Sequence, residues 1–522
     1  MNRITFSRFC LILIIDLCLF SSPVYAKKKF NSEDFRNYVN REMKTWNVPG
    51  AAVCVIEDGK VIFSEGFGYR DVEKKLMVTP KTVFAIGSAS KAFTSLTVGM
   101  LVDEKRLDWD RPIREYYPRL RMYDPYVTEH VTLRDALSHR SGVPRHDVVW
   151  PYEKMTRKEI VDRIRYLQPS YGFREVLQYN NFLYVLSGAV AGEVAGKSWE
   201  EFVKERIFTP LGMASSNFDV EESQRTPDFA LPYGLKIKTP GEMPEKPTDV
   251  PVERVPFHQI QAMGPTGSIN SNLEDMTKWV MLHLNEGKAG EKQIVSKEAL
   301  REMHTPQMAI KENSPLKILM FKEMPIMNYG LGWFIQPYRG NYLVHHGGNI
   351  DGFSSFVSFM PEEKIGIVVL TNMNATWLPH VLTYNIYDRL LGFKEIDWSK
   401  KFMDRVSEEA KKKKEAAEKE EKERKKDTCP THPFETYTGQ YANPAYGLVI
   451  IGKEGDHLNI TYKSKTGRLI HYHYDTFKAG IQYTVFTLDH KVTFQMNEKG
   501  DIDRLSIPLE GGVSDIIFKK TP

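Results

Sequence analysis

Apolar residues along the chain change their spacing several times, and each change predicts a different element. An apolar stretch runs from Phe9 to Phe20, interrupted only by Asp16. From about Asn31 to Trp46 the apolar positions recur at helical spacing, which predicts an amphipathic helix. Ala51–Ile56 and Lys60–Phe63 then flank Asp58-Gly59, the pattern of a β-hairpin closed by a tight turn. Helical and polar-loop patterns dominate from Ser88 to about Asn285. Strand character returns at Tyr329–Phe334, Tyr342–His346, Phe353–Met360 and Lys364–Leu370. Strands thus bracket a helical middle, which predicts an α/β unit: a sheet assembled from both ends, with helices on it and a helical subdomain inserted.

Beyond this unit the pattern changes twice. Asp397–Asp427 carries twelve Lys and Arg against ten Asp and Glu. Glu415 with Lys419, Glu418 with Lys422, Glu420 with Arg424 and Glu421 with Lys425 stand at i,i+4, so the segment reads as a solvated helical spacer. After Pro430, short alternating runs such as Asn459–Tyr462, Tyr483–Phe486 and Val492–Phe494 are punctuated by glycine turns. They predict a small antiparallel barrel or sandwich. The divisions are a leader at 1–26, a first domain at 27–395, a linker at 396–430 and a small β domain at 431–522.

Composition changes this picture little. The 522 residues include 71 Lys and Arg against 67 Asp and Glu, a net charge of +4 that argues against a nucleic-acid partner. No apolar run is long enough for a stable membrane span. Arg3 and Arg8, the apolar stretch and Val24-Tyr25-Ala26 form the pattern of an export signal cut after Ala26, which predicts a secreted or periplasmic protein. The mature chain then keeps Cys54 and Cys429, both read as structural. No metal-ligand spacing is present, so neither metal nor cofactor is expected.

The candidate chemistry lies in three short motifs. Ser88-Ala89-Ser90-Lys91 opens an apolar helical run, and residues three apart share a helix face, so the Lys91 amine falls beside the Ser88 hydroxyl. A serine becomes a nucleophile when a neighbouring base takes its proton, and burial beside other cations makes lysine such a base. Ser314-Pro315-Leu316-Lys317 has the same spacing but sits in a loop. In Tyr179-Asn180-Asn181 a phenol can relay a proton, as base in acylation and acid toward the leaving group, and Asn181 can donate to a substrate carbonyl. Tyr38-Val39-Asn40 and Tyr441-Ala442-Asn443 repeat the spacing in structural settings. His346-Gly347-Gly348-Asn349 is expected at the end of a strand, with the glycines admitting substrate backbone, His346 facing the cleft, and the Asn349 and Ser88 N–H groups forming an oxyanion hole.

The three motifs, in this order, resemble those of the penicillin-recognising serine hydrolases: class C β-lactamases, D-Ala-D-Ala carboxypeptidases, D-aminopeptidases and β-lactamase-like esterases. The resemblance covers about Phe30 to Gly392 and extends to Leu107–Asp110, Val131–Gly142 and Tyr329–Trp333. It implies a β-lactamase/transpeptidase-like antiparallel sheet flanked by helices. It also implies Ser88 as acylated nucleophile, Lys91 and Tyr179 as proton-transfer pair, and Asn181, His346, Gly347 and Gly348 as substrate-binding groups. Many penicillin-binding members carry Lys-Thr-Gly where this chain has His-Gly-Gly, which points away from β-lactams toward the peptidase and esterase branches. The literal Lys465-Thr466-Gly467 is read as a turn. From about Phe434, Tyr437–Tyr441 and Pro444–Gly447 resemble a lipocalin-like C-terminal domain, which in such relatives covers the cleft or assembles a homo-oligomer. The expected function is a secreted serine hydrolase acting through an acyl-enzyme on short peptides, D-residue-containing or cell-wall-derived. A β-lactamase-like esterase, or a penicillin-binding sensor or scaffold without turnover, are the alternatives.

Overall fold

The structure is a computed structural model that describes residues 30–151, 154–237, 244–311, 314–483 and 487–522. The leader at 1–26 and most of the expected Tyr483–Phe486 strand lie outside the described residues. Among these residues one antiparallel sheet has nine strands: β1 (Gly50–Glu57), β2 (Lys60–Asp71), β3 (Leu76–Met77), β4 (Met308–Ala309), β5 (Asn328–Tyr329), β6 (Phe334–Tyr338), β7 (Asn341–Ile350), β8 (Phe353–Met360) and β9 (Ile365–Thr371), ordered β4-β5-β6-β7-β8-β9-β1-β2-β3. Both ends of the domain meet where β1 pairs with β9, Val53 opposite Val369.

Every residue of β1 from Gly50 to Ile56 is buried, because both faces of the sheet are covered. Ala52, Cys54 and Ile56 enter one core with α2 (Ser90–Asp103) and α4 (Leu273–Leu284). Ala51, Val53 and Val55 enter the other with α1 (Ser32–Thr45) and α5 (Leu378–Leu390). The helix α3 (Asn181–Ala195) packs on α2 within the helical subdomain, and both are buried nearly all round. Cys54 and Cys429 are free thiols.

Several boundaries differ from expectation for physical reasons. β2 runs to Asp71 rather than Phe63, through a glycine-bearing stretch where a side chain at Gly66 would place Cβ 2.3 Å from the Val78 carbonyl oxygen. Tyr329–Phe334 is split into β5 and β6 by a turn in which Gly332 takes φ +82°. The charged helix α6 (Trp398–Glu423) begins inside the second core, where Trp398 and Phe402 are fully buried, so only its later turns are a solvated spacer. Among the described residues its i,i+4 ion pairs are Lys400–Asp404, Glu408–Lys412, Lys411–Glu415 and Lys419–Glu423 rather than the four read from the sequence.

The C-terminal strands β10 (Gly439–Asn443), β11 (Gly447–Glu454), β12 (His457–Tyr462), β13 (Lys465–His473), β14 (Thr476–Gln482), β15 (Thr487–Met496), β16 (Ile502–Ile507) and β17 (Ile516–Lys520) form a closed antiparallel barrel, sealed by Tyr441 opposite Lys520. Lys465-Thr466-Gly467 is not a turn. It opens β13, and the turn is Lys463-Ser464, both at positive φ.

Candidate active site

Ser88 sits in a tight turn between the short strand Phe84–Ala85 and the N-terminus of α2. The turn is held on two sides. The Ile86 N–H donates to the Ile269 carbonyl, and the Ser355 hydroxyl donates to the Ile86 carbonyl at 2.8 Å. Gly87 takes φ +52°, and a Cβ there would lie 2.8 Å from the Asn349 nitrogen. Ser88 is thereby presented half-exposed at the head of a buried helix.

One helical turn on, the fully buried Lys91 places Nζ 3.2 Å from Ser88 Oγ. The amine also donates to the Thr266 carbonyl at 3.0 Å and to Thr266 Oγ1 at 2.6 Å. The Thr266 hydroxyl donates to Asn181 Oδ1 at 2.7 Å, and Asn181 Nδ2 donates to Asp147 Oδ1 at 2.8 Å. Asp147 pairs with Arg145, whose guanidinium lies 5.0 Å from the Tyr179 ring centre. The Lys91 amine is 4.9 Å from the same ring. Burial, reinforced by the Arg145 charge, holds Lys91 well below the usual lysine range, with Asp147 opposing. Tyr179 is pushed up to about 12 by burial, against a hydrogen bond with Ser88 and the Arg145 charge. The arrangement therefore places an amine whose charged form is disfavoured by burial, and a phenol that stays protonated at neutral pH, beside one hydroxyl, and Tyr179 is not available as a phenolate base.

The third motif lies inside β7 rather than at a strand end. His346 faces the Tyr179 side of the sheet, 6.2 Å between rings, while His345 turns to the other face and bonds Gln336 at 2.6 Å. His346 Nδ1 meets the Gly347 carbonyl at 2.6 Å and is the N–H-bearing nitrogen, so Nε2 accepts from the Tyr329 hydroxyl at 3.0 Å. Burial, with the Lys91 charge second, lowers it to about 3. The imidazole is neutral with both nitrogens engaged by protein, so in this conformation it braces Tyr329 instead of offering an atom to substrate. Gly348 also does work that was not expected of it. A Cβ at Gly348 would lie 1.8 Å from the Ile86 carbonyl oxygen, so this glycine lets β7 close against the nucleophile's own turn. Gly347 has nothing nearer than 3.5 Å. Gly348→Ala is therefore expected to slow acylation by a fluorophosphonate about 100-fold or more through displacement of the turn, and Gly347→Ala to change it little. Stopped-time labelling of both variants checks this.

Sequence reasoning missed Thr266, Arg145, Asp147 and His139. All four lie near motif residues in space but not in sequence. His139 Nδ1 accepts from the Asn180 N–H at 3.1 Å, and its ring lies 4.3 Å from that of Tyr179. The sequence signal for His139 was its place in Val131–Gly142, already noted as part of the resemblance. Beside the site lies a cavity of about 540 Å³ whose walls include Trp150, Met155, Ile160, Ile260, Met263 and Ile350. Ile350 follows Asn349 on β7, and the Trp150 indole N–H donates to Asp147 at 3.3 Å. No cluster with metal-binding composition occurs among the described residues.

Comparison with known proteins gives a consistent picture. The Beta-lactamase family model matches residues 35–389, and a second model, a domain of unknown function (DUF3471), matches residues 423–520. An unguisins hydrolase, ungD', of Aspergillus campestris is 28% identical over 80% of this chain and 77% of its own length. Protein flp of Staphylococcus aureus is 26% identical over 66% of this chain and 64% of its own. The octameric penicillin-binding protein homologue from Pyrococcus abyssi shares the fold, with a TM-score of 0.60 at 23% identity over 94% of this chain and all of that one.

Proposed function

The chain belongs to the beta-lactamase family of serine hydrolases, and we propose that it turns over short peptides, or esters of similar shape, through an acyl-enzyme on Ser88. The observation that carries this reading is the buried Lys91 amine 3.2 Å from Ser88 Oγ, with its pKa held down by burial. Ser88 Oγ attacks the carbonyl carbon as its proton passes to Lys91. The Ser88 and Asn349 N–H groups receive the oxyanion. On collapse the carbonyl–leaving group bond breaks, and the Tyr179 phenol donates a proton to the leaving nitrogen or oxygen, recovering one from Lys91. A water then attacks the ester by the same route and frees the acid. None of these steps calls for a cofactor.

The cavity, mainly apolar but with Lys154, His258 and Asp351 in its walls, supports substrates with a large, mainly apolar side chain next to the scissile bond. The neutral His346, where related sites carry a lysine, supports peptides and esters over substrates that need a fixed cation. We further propose export, on the leader pattern at 1–26, and self-association, suggested by the octameric homologue.

Intact-mass analysis after a fluorophosphonate and a fluorescent penicillin, followed by a panel of D- and L-peptides and chromogenic esters, tests the reading. Expected are a single adduct on Ser88 and steady product release, fastest with bulky apolar acyl groups. Folded protein that takes no adduct would overturn the assignment, and one equivalent of product followed by silence would replace it with a sensor.

A further inference from the structure

We propose that the C-terminal barrel is a working part of the active site: Tyr446 and Glu510 hold His146, and through it the Arg145-His146-Asp147 segment that positions Tyr179 and Asn181. The inference rests on the reading of Ser88, Lys91 and Tyr179 given above, and it assigns a task to the matched domain of unknown function.

The segment is held by its own domain at Asp147, which accepts from Asn181 and Trp150, and by the barrel at His146. It lies in the stretch joining the short helix Leu133–Leu137 to the turn Asp147–Val149. His146 is fully buried yet takes φ +47°, a left-handed conformation that a residue with a Cβ keeps only when its surroundings enforce it. The enforcing contacts come from both domains. The His146 N–H donates to Glu510 Oε2 at 2.5 Å. The ring Nε2 faces the Gln168 carbonyl at 2.8 Å, so it carries the hydrogen, and Nδ1 accepts from the Tyr446 hydroxyl at 2.6 Å. Burial lowers His146 to about 4, so this neutral form persists through the physiological range.

The barrel side is built for the contact. Tyr446 lies in the β10–β11 connection, Lys463 in β12–β13 and Glu510 in β16–β17, alternate connections that share one end of an up-and-down barrel. Lys463 Nζ donates to the Val149 carbonyl at 2.7 Å, extending the grip along the same stretch. Tyr446 is itself fixed, buried at 1% exposure with its carbonyl accepting from Tyr462 at 3.0 Å.

The two residues beside His146 then reach the chemistry. Arg145 lies 5.0 Å from the Tyr179 ring centre, and Asp147 accepts from Asn181, whose Oδ1 orients Thr266 beneath Lys91. Their charges also bear on Lys91, Arg145 lowering its pKa and Asp147 raising it. A segment that swings loses both functions: the phenol and amide drift, and the field on the lysine changes. Tyr446 and Glu510 are positioning residues, since neither touches the reacting atoms.

The test uses the full chain, with active sites counted by fluorophosphonate labelling. Glu510→Ala combined with Tyr446→Phe is expected to lower kcat per labelled site about 10- to 100-fold and to move the acid limb of the pH profile, to which Lys91 contributes beside Glu510, itself raised to about 6 by burial. Glu510→Gln keeps an oxygen acceptor for the His146 N–H and is expected to retain most of kcat with the Lys91 contribution to the limb in place. Arg163→Gln removes a different contact between the domains, the 2.8 Å bond to the Ala445 carbonyl, and is expected to leave both unchanged. An unaltered kcat and acid limb in the double variant would overturn the proposal, as would equal losses in Glu510→Gln and Glu510→Ala. Wild-type protein that never labels overturns the serine hydrolase reading instead.

Discussion

Ser88→Ala is expected to abolish covalent labelling and to cut turnover by about 10⁴-fold or more, while leaving thermal stability close to that of the parent. The size of the loss follows from the roles of the neighbours. Lys91 and Tyr179 act on the serine's proton, so without the hydroxyl neither retains a function, and what remains is water attacking a carbonyl polarised by two N–H groups. The small change in stability follows from the geometry. Ser88 is half-exposed, and after its loss the Lys91 amine keeps both bonds to Thr266. Substrate affinity is expected to persist, because the cavity beside the site is untouched. Active-site titration, steady-state kinetics and a thermal melt on the same preparation check all three. Turnover within about tenfold of the parent would show that another group is the nucleophile.

How much of the site was legible in the sequence depended on the range of the contacts. Ser88 and Lys91 stand three apart at the head of one helix, so their juxtaposition follows from helix geometry alone. Thr266 could not be read in this way, because it reaches Lys91 only after the chain closes over 175 positions. The same holds for Arg145 and Asp147, which a sequence scan sees as two ordinary charges in a loop. His346-Gly347-Gly348-Asn349 was found, but the neighbour that Gly348 meets was not. A glycine advertises that something approaches closely, not what approaches, and here it is the Ile86 carbonyl rather than a ligand. The sheet was legible where strands are uncharged and rich in apolar residues, as in Phe353–Met360, and illegible where glycine and charge interrupt them, as in β2 beyond Phe63. The charged helix was misread at its start, where Trp398 and Phe402 belong to the core, and in its choice of ion pairs. The grip of the barrel on His146 left no local signature, since each partner is an ordinary loop residue in its own domain.

Lys91→Met is expected to cost about 10³- to 10⁴-fold in kcat/KM and to change the pH dependence of stability in a direction fixed in advance. Wild-type activity is lost as pH falls through the Lys91 pKa, because the protonated amine cannot accept from Ser88. His346, lowered to about 3, contributes no limb between pH 5 and 7. The sign for stability is set by where each state holds its protons. The unfolded chain keeps the Lys91 proton up to the ordinary value of 10.5, whereas the folded chain releases it well below. Between those two pH values the unfolded state binds more protons, so folding stability rises with pH across the interval. Below the folded pKa both states are protonated and the wild type bears the whole cost of a buried ammonium. Methionine has no proton to lose, so the stability of Lys91→Met relative to wild type is expected to be greatest at the acid end and to decline steadily toward pH 10.5. The lost donors to Thr266 shift that difference by a constant and leave its slope untouched. Urea unfolding of both proteins from pH 6 to 10 measures the slope directly. A flat difference would mean that Lys91 keeps its ordinary pKa in the fold, and an amine protonated at neutral pH could not activate Ser88, so the same titration that tests the stability of the core tests the mechanism built on it.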